Sequence, residues 1–229
     1  MATTRFPNGI TTTTKTTTLG EFILPDPTQS HVFFDDFNFF VTANWTTTLV
    51  ATGAGVGSVA LDDADGGVLL LTNKDDLADS TALQNTNESF LFEVGKQLWF
   101  KSQIKLSTNE TLWIMGLQIT DITPKDVLDG VYISSPKSST DISLTSEKDN
   151  VSSTTVLTSE DFSGTFFTVG FYYNGKDVIE GYVNDVLLGT LNIDNLPNDE
   201  VLTISFFVEN ATATQDTMSV DYILAAKER

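Results

Sequence analysis

From Val32 onward the chain alternates apolar and polar positions with a period of two. Leu98, Phe100, Ile104 and Leu106 fall on one face, and Trp99, Lys101, Gln103 and Lys105 on the other. Phe167, Val169, Phe171 and Tyr173 repeat the pattern, as do Leu202, Ile204, Phe206 and Val208; Val220, Tyr222 and Leu224 are predicted to share a face in the same way. That periodicity belongs to half-buried strands, whose successive side chains point to opposite faces. Turn chemistry separates the runs: Asn174-Gly175 before Lys176, Asn184-Asp185 between Val183 and Val186, and Asp65-Gly66-Gly67 before Val68–Leu71. One short helix is predicted over Thr123–Leu128, with Thr123 as N-cap and Pro124 at the first helical position. About a dozen or more strands with no βαβ alternation give an all-β fold, an antiparallel two-sheet sandwich, with a barrel as the second choice.

Residues 1–30 read differently. Asn8-Gly9, the threonine run Thr11–Thr18 broken by Lys15, and Pro25-Asp26-Pro27 are loop and extended-chain signals. Arg5 and Lys15 balance Glu21 and Asp26, so the segment is neutral. Its apolar residues, among them Phe6, Ile10, Phe22 and Leu24, are too few for a core. We therefore divide the chain into an extended N-terminal arm, residues 1–30, and a sandwich domain, residues 31–229. The arm is read as a tag-like leader or as a segment that orders on a neighbouring subunit, with a third reading in which the apolar cluster Phe22-Ile23-Leu24 before Pro25-Asp26-Pro27 is a pinned edge segment of the domain.

Composition removes several functions. Twelve basic against 31 acidic side chains give a net charge of −19, all of it on the body, which repels phosphate backbones and excludes nucleic acid as a partner. With no cysteine and one histidine, His31, the chain offers no disulfide, thiolate metal site or thiol nucleophile, and no metal or cofactor is expected. No apolar run approaches the ~18 residues that span a bilayer, so no membrane partner is expected. The N-terminus lacks the apolar core of a signal peptide, which points to synthesis in a reducing cytoplasm. The 34 threonines suit strand faces.

Most candidate motifs are incomplete. Gly53-Ala54-Gly55-Val56-Gly57-Ser58 lacks phosphate-loop spacing and a following helix, and reads as a loop. Asp62, Asp63 and Asp65, with Asp75, Asp76 and Asp79 nearby, invite calcium, but the EF-hand pattern fails at both ends and solvated turn carboxylates are the default. No E-x-D-x-E segment occurs, and Asp177, Glu180 and Glu209 show no same-face pairing for glycoside hydrolysis. His31 has no G-x-S-x-G partner and reads as a partly exposed junction residue. Five N-x-[ST] triplets, including Asn150 and Asn210, are near chance expectation. Trp99, on the polar face of its strand, is the candidate glycan platform.

The body resembles the concanavalin A-like (laminin G or legume lectin-like) jelly-roll superfamily. The resemblance rests on the order of Phe33–Phe37, Trp45, Asp129–Tyr132, Glu180–Gly189 and Met218–Leu224. The paired carboxylates of hydrolytic members have no match here. Met1–Gly9, Leu19-Gly20 and Pro25–Thr28 resemble the opening of virion structural proteins of tailed phages, particularly marine ones. That resemblance implies a non-enzymatic capsid decoration or cement protein on the outer surface of the head. Its partners would be the major capsid protein and neighbouring copies of itself. Arg5, Phe6, Pro7, Ile10, Phe22, Leu24, Pro25 and Pro27 are then the candidate capsid contacts. The alternative is a lectin-like module that attaches virions to host-surface glycans through Trp99.

Overall fold

A computed structural model describes residues 28–64 and 66–229. The candidate arm contacts from Arg5 to Pro27, and Asp65, lie outside the described residues.

Among the described residues, fifteen strands build two stacked antiparallel sheets. The eight-stranded sheet has the order β13 (Val186–Leu191), β12 (Ile179–Val183), β11 (Phe167–Tyr173), β6 (Leu98–Leu106), β15 (Thr217–Glu228), β4 (Val68–Thr72) and β3 (Ser58–Asp62). Its eighth strand, β1 (Ser30–Asp35), pairs with the second half of β15. The seven-stranded sheet runs β10 (Val151–Thr158), β9 (Ile142–Lys148), β8 (Gly130–Ser135), β7 (Leu112–Gln118), β14 (Thr203–Glu209), β5 (Ser80–Asn85) and β2 (Trp45–Val50). Two 3-10 turns, Thr42–Asn44 and Pro124–Asp126, are the helical elements among the described residues. Of the turn or two expected near Thr123, one 3-10 turn forms, with Thr123 at its N-cap position and Pro124 just inside; the Thr123 backbone amide and hydroxyl both donate to Asp121 rather than cap it.

The predicted alternation is the register of the core. Leu98, Phe100, Ile104 and Leu106 of β6 meet Phe167, Val169, Phe171 and Tyr173 of β11 on the inner face, all buried. Phe100 and Phe171 stack there with ring centroids 5.1 Å apart. Each such buried side chain contributes roughly 1.5–3 kcal/mol by leaving water. The Asn184-Asp185 turn closes β12 onto β13 with both residues at positive φ (50° and 63°), the geometry that matches strand twist. Asp149-Asn150 does the same between β9 and β10, at φ 51° and 63°, which the sequence reading missed.

One strand departs from its pattern. In β15 the register shifts between Val220 and Tyr222, so Asp221 is an extra, bulged residue. Val220, Ile223 and Ala225 face the core, whereas Tyr222 and Leu224 are turned to the outer face. The expectation that Val220, Tyr222 and Leu224 share a face is corrected by that bulge.

Candidate functional site

The bulge and the alternation together furnish one open face. On the outer surface of the eight-stranded sheet, register partners form two rows crossing five strands. The first row is Glu180, Tyr172, Trp99, Ala226 and Val32, on β12, β11, β6, β15 and β1. The second is Tyr182, Gly170, Lys101, Leu224 and Phe34 on the same strands. Four strand spacings make this face about 19 Å wide. It carries a groove of about 1210 Å³, reached at its edges by Lys96, Asp185, Glu228 and Arg229.

Trp99 is the centre of the rows. Its ring stacks on Tyr172, centroids 5.4 Å apart with 26° between planes. Tyr172 therefore covers one face of the indole. Across the strand pair on the other side, the register partner of Trp99 on β15 is the small residue Ala226. Trp99 remains 37% exposed, while Trp45 and Trp113 are buried in the core. The position foreseen as a glycan platform is thus an aromatic surface on an open sheet face.

Polar groups flank this surface. Tyr182 donates its hydroxyl to the Glu180 carboxylate. Burial, and then that carboxylate, push the Tyr182 phenol up to about 12, so it stays a donor across the physiological range. Lys101 pairs with Asp185 at 2.5 Å; burial pulls its ammonium down, but the Asp185 hydrogen bond, together with Tyr222 and the Asp185 charge, outweighs this and leaves it raised. Glu228 accepts the Gln97 backbone amide at 2.8 Å. Three cations, Lys96, Lys101 and Arg229, stand against three anions, Glu180, Asp185 and Glu228, so the lining is balanced in a chain of −19. Gly170 holds this floor flat, since a Cβ there would meet the Phe100 carbonyl oxygen at 2.7 Å.

Other candidates fall elsewhere. Glu209 lies on the opposite sheet, buried between Lys125 at 2.6 Å and Lys137 at 2.5 Å, and Asp177 accepts from Asn174 in an exposed turn, so neither joins Glu180. Asp79 is buried and accepts the Thr52 amide and hydroxyl and the Asp76 amide, bonds that hold its carboxyl below the usual range. The glycine-rich segment is the loop between β2 and β3; a Cβ on Gly53 would meet the Asp76 carboxylate at 1.9 Å. His31 is half-buried against Phe90, ring centroids 5.0 Å apart; burial, with Arg229 and Lys227 nearby, lowers its pKa. Asn210, dismissed as a chance triplet, is fully buried. Its amide donates to the Lys74 and Asp76 carbonyls, and its oxygen accepts from Asn73 and from the Asp216 amide.

No protein-family model matches the chain, and no curated protein matches its sequence. Solved structures do match in fold. An endo-1,3-beta-glucanase from Streptomyces sioyaensis superposes with a TM-score of 0.65 at 15% identity, over 90% of this chain and 99% of that one. A beta-glucanase from Bacillus licheniformis gives 0.60 at 14% identity, over 85% and 97%. The carbohydrate recognition domain of Emp46p gives 0.53 at 11% identity, over 80% and 88%. The fold is therefore the concanavalin A-like jelly roll. These matches also correct the expectation of a non-enzymatic chain, because the fold is one that endo-glucanases use over almost their whole length. None of them supports a phage origin or a capsid partner.

Proposed function

We propose that this chain is a carbohydrate-binding protein that seats an uncharged glycan on the outer face of its eight-stranded sheet. The observation that carries the reading is the Trp99–Tyr172 stack lining the groove, with Trp99 37% exposed. A sugar ring presents an apolar C–H face and a polar rim, the complement of an aromatic surface ringed by hydroxyl, carboxylate and ammonium groups. The balanced lining favours a neutral ligand, and the −19 body disfavours an anionic one. Glucan-acting and carbohydrate-recognising proteins share the fold.

Titration calorimetry against a panel of soluble polysaccharides tests this. Binding that weakens about tenfold or more in Trp99→Ala, about 1.4 kcal/mol, is the expected result; unchanged affinity in that variant would remove the groove as the site.

A hydrolytic reading rests on Glu180, the carboxylate in the same row as Tyr172 and Trp99, held by the Tyr182 hydroxyl. The same incubations, followed for new reducing ends, measure it. Release that disappears in Glu180→Gln assigns cleavage to the groove; release unaffected by that change sinks the assignment.

The resemblance of residues 1–28 to virion proteins supports a particle-bound setting, with the arm on the major capsid protein and the groove facing host glycans. Loss of particle occupancy on deleting residues 1–27 is the outcome expected, and full occupancy would end that placement.

A further inference from the structure

The two sides of the sandwich are finished differently. On one side both edge strands are bulged, β10 at Leu157 and β13 at Leu188. Leu157 is 7% exposed and closes the seam between the sheets by packing on Gly181 and Gly189. On the other side β2 pairs with β5 and β3 with β4 in unbroken register. Neither edge there has a bulge, a proline or a lysine, the usual means of blunting a free strand.

The core is also open along that side. Leu49 follows Trp45 and Thr47 on the inward face of β2, and Leu61 follows Val59 on the inward face of β3. Their cross-strand partners Thr81 and Leu69 are fully buried, yet Leu49 is 37% and Leu61 41% exposed. Among the described residues, nothing pairs with the outer edges of β2 and β3. Of the eleven residues in these two strands, one is charged, Asp62 at the end of β3.

We propose that this side is an interface and that its occupant is the same side of a second copy of this chain. The partner must offer two strand edges about 10 Å apart, the separation of stacked sheets. An identical seam does so about a two-fold axis, with β2 meeting β2 and β3 meeting β3 antiparallel, which extends both sheets. Two bodies of charge −19 repel, and this seam lets them meet with almost no charge at the contact. Leu49, Val59 and Leu61 then join a continuous core. Because the remaining repulsion is between exposed charges, salt strengthens the association.

Sedimentation of the full chain tests this at low and high salt. A species of twice 25.0 kDa is expected, its dissociation constant falling as salt rises. Leu49→Lys and Leu61→Lys should each weaken it by about tenfold or more, and Leu188→Lys on the other side should leave it unchanged. Should the lysine variants misfold, hydrogen exchange of the unaltered chain decides the matter. Amides of Thr46–Val50 must become protected as protein concentration rises. A monomer under all conditions, or disruption by Leu188→Lys, would overturn the proposal. Seam protection independent of concentration would also overturn it, since another part of the same chain would then be the cover.

Discussion

Trp99 and Tyr172 are register partners on neighbouring strands, and their rings lie 5.4 Å apart at 26°. Each holds the other upright on the sheet, so neither is an independent contact. We expect Tyr172→Ala to weaken glycan binding even if the ligand touches only the indole. In a double-mutant cycle with Trp99→Ala, the two losses should fall short of additivity by about 1 kcal/mol. Strict additivity in calorimetry would show that Tyr172 does not position Trp99.

Asp216 is 3% exposed, and its Oδ2 has no hydrogen-bond partner. Burial raises its carboxyl pKa above the ordinary value despite Thr111 and Ser107 nearby. A folded-state pKa above the unfolded one means that the protonated form favours folding. That contribution is fully present below the unfolded pKa and is lost as pH rises through the folded pKa. Asp216→Asn keeps the shape without the charge. Its melting temperature should match the parent under acid and exceed it at pH 7, by about 1 kcal/mol of stability; a constant difference at all pH values would refute the linkage.

Asn210 ties the β14–β15 loop to the β4–β5 loop through its one side chain. Asn210→Ala strands the Lys74 carbonyl and the Asp216 backbone amide, while the Asp76 carbonyl keeps the Asp79 amide and the Asn73 amide keeps the Val208 carbonyl. Urea denaturation should show a loss of about 3 kcal/mol, the sum expected for two buried unpaired groups. A loss below about 1 kcal/mol would mean that water replaces the amide at little cost.

Gly189 and Leu157 are fitted to one another: a Cβ on Gly189 would meet Leu157 Cδ2 at 2.9 Å. Gly189→Ala should destabilise by about 1–3 kcal/mol through overpacking. Adding Leu157→Ala to it should cost less than Leu157→Ala alone, because the new methyl partly fills the cavity. Equal costs in thermal unfolding would place the strain elsewhere.

The residues that made the fold legible are those whose alternation survives into the structure, as on β6 and β11. Trp99 was found because it broke the polar face of such a strand. Tyr222 and Leu224 escaped because one extra residue, Asp221, inverts the phase without disturbing the look of alternation. Phe207 and Glu209 escaped differently. On β14 both faces are buried, and Lys125 and Lys137 reach over the outer one, a cover no local pattern announces. The structural role of Asn210 left no mark in the sequence because its partner Asn73 is 137 residues away. Leu49 and Leu61 carry the pattern of buried residues, and their exposure shows only in the fold, where no strand among the described residues pairs with the outer edges of β2 and β3.

The pairing of β1 with β15 sets an order of events. Ser30–Asp35 finds its partners at Ile223–Glu228, and β15 also joins β6 to β4. During synthesis the strand in the middle of the eight-stranded sheet is therefore the last to be made. Until then β1, β4 and β6 have no sheet between them, and the floor of the groove lacks Leu224 and Ala226. Such a chain passes through a stage with long unpaired edges, where early aggregation competes with folding. Its strong negative charge repels like chains at that stage, before any ligand is met.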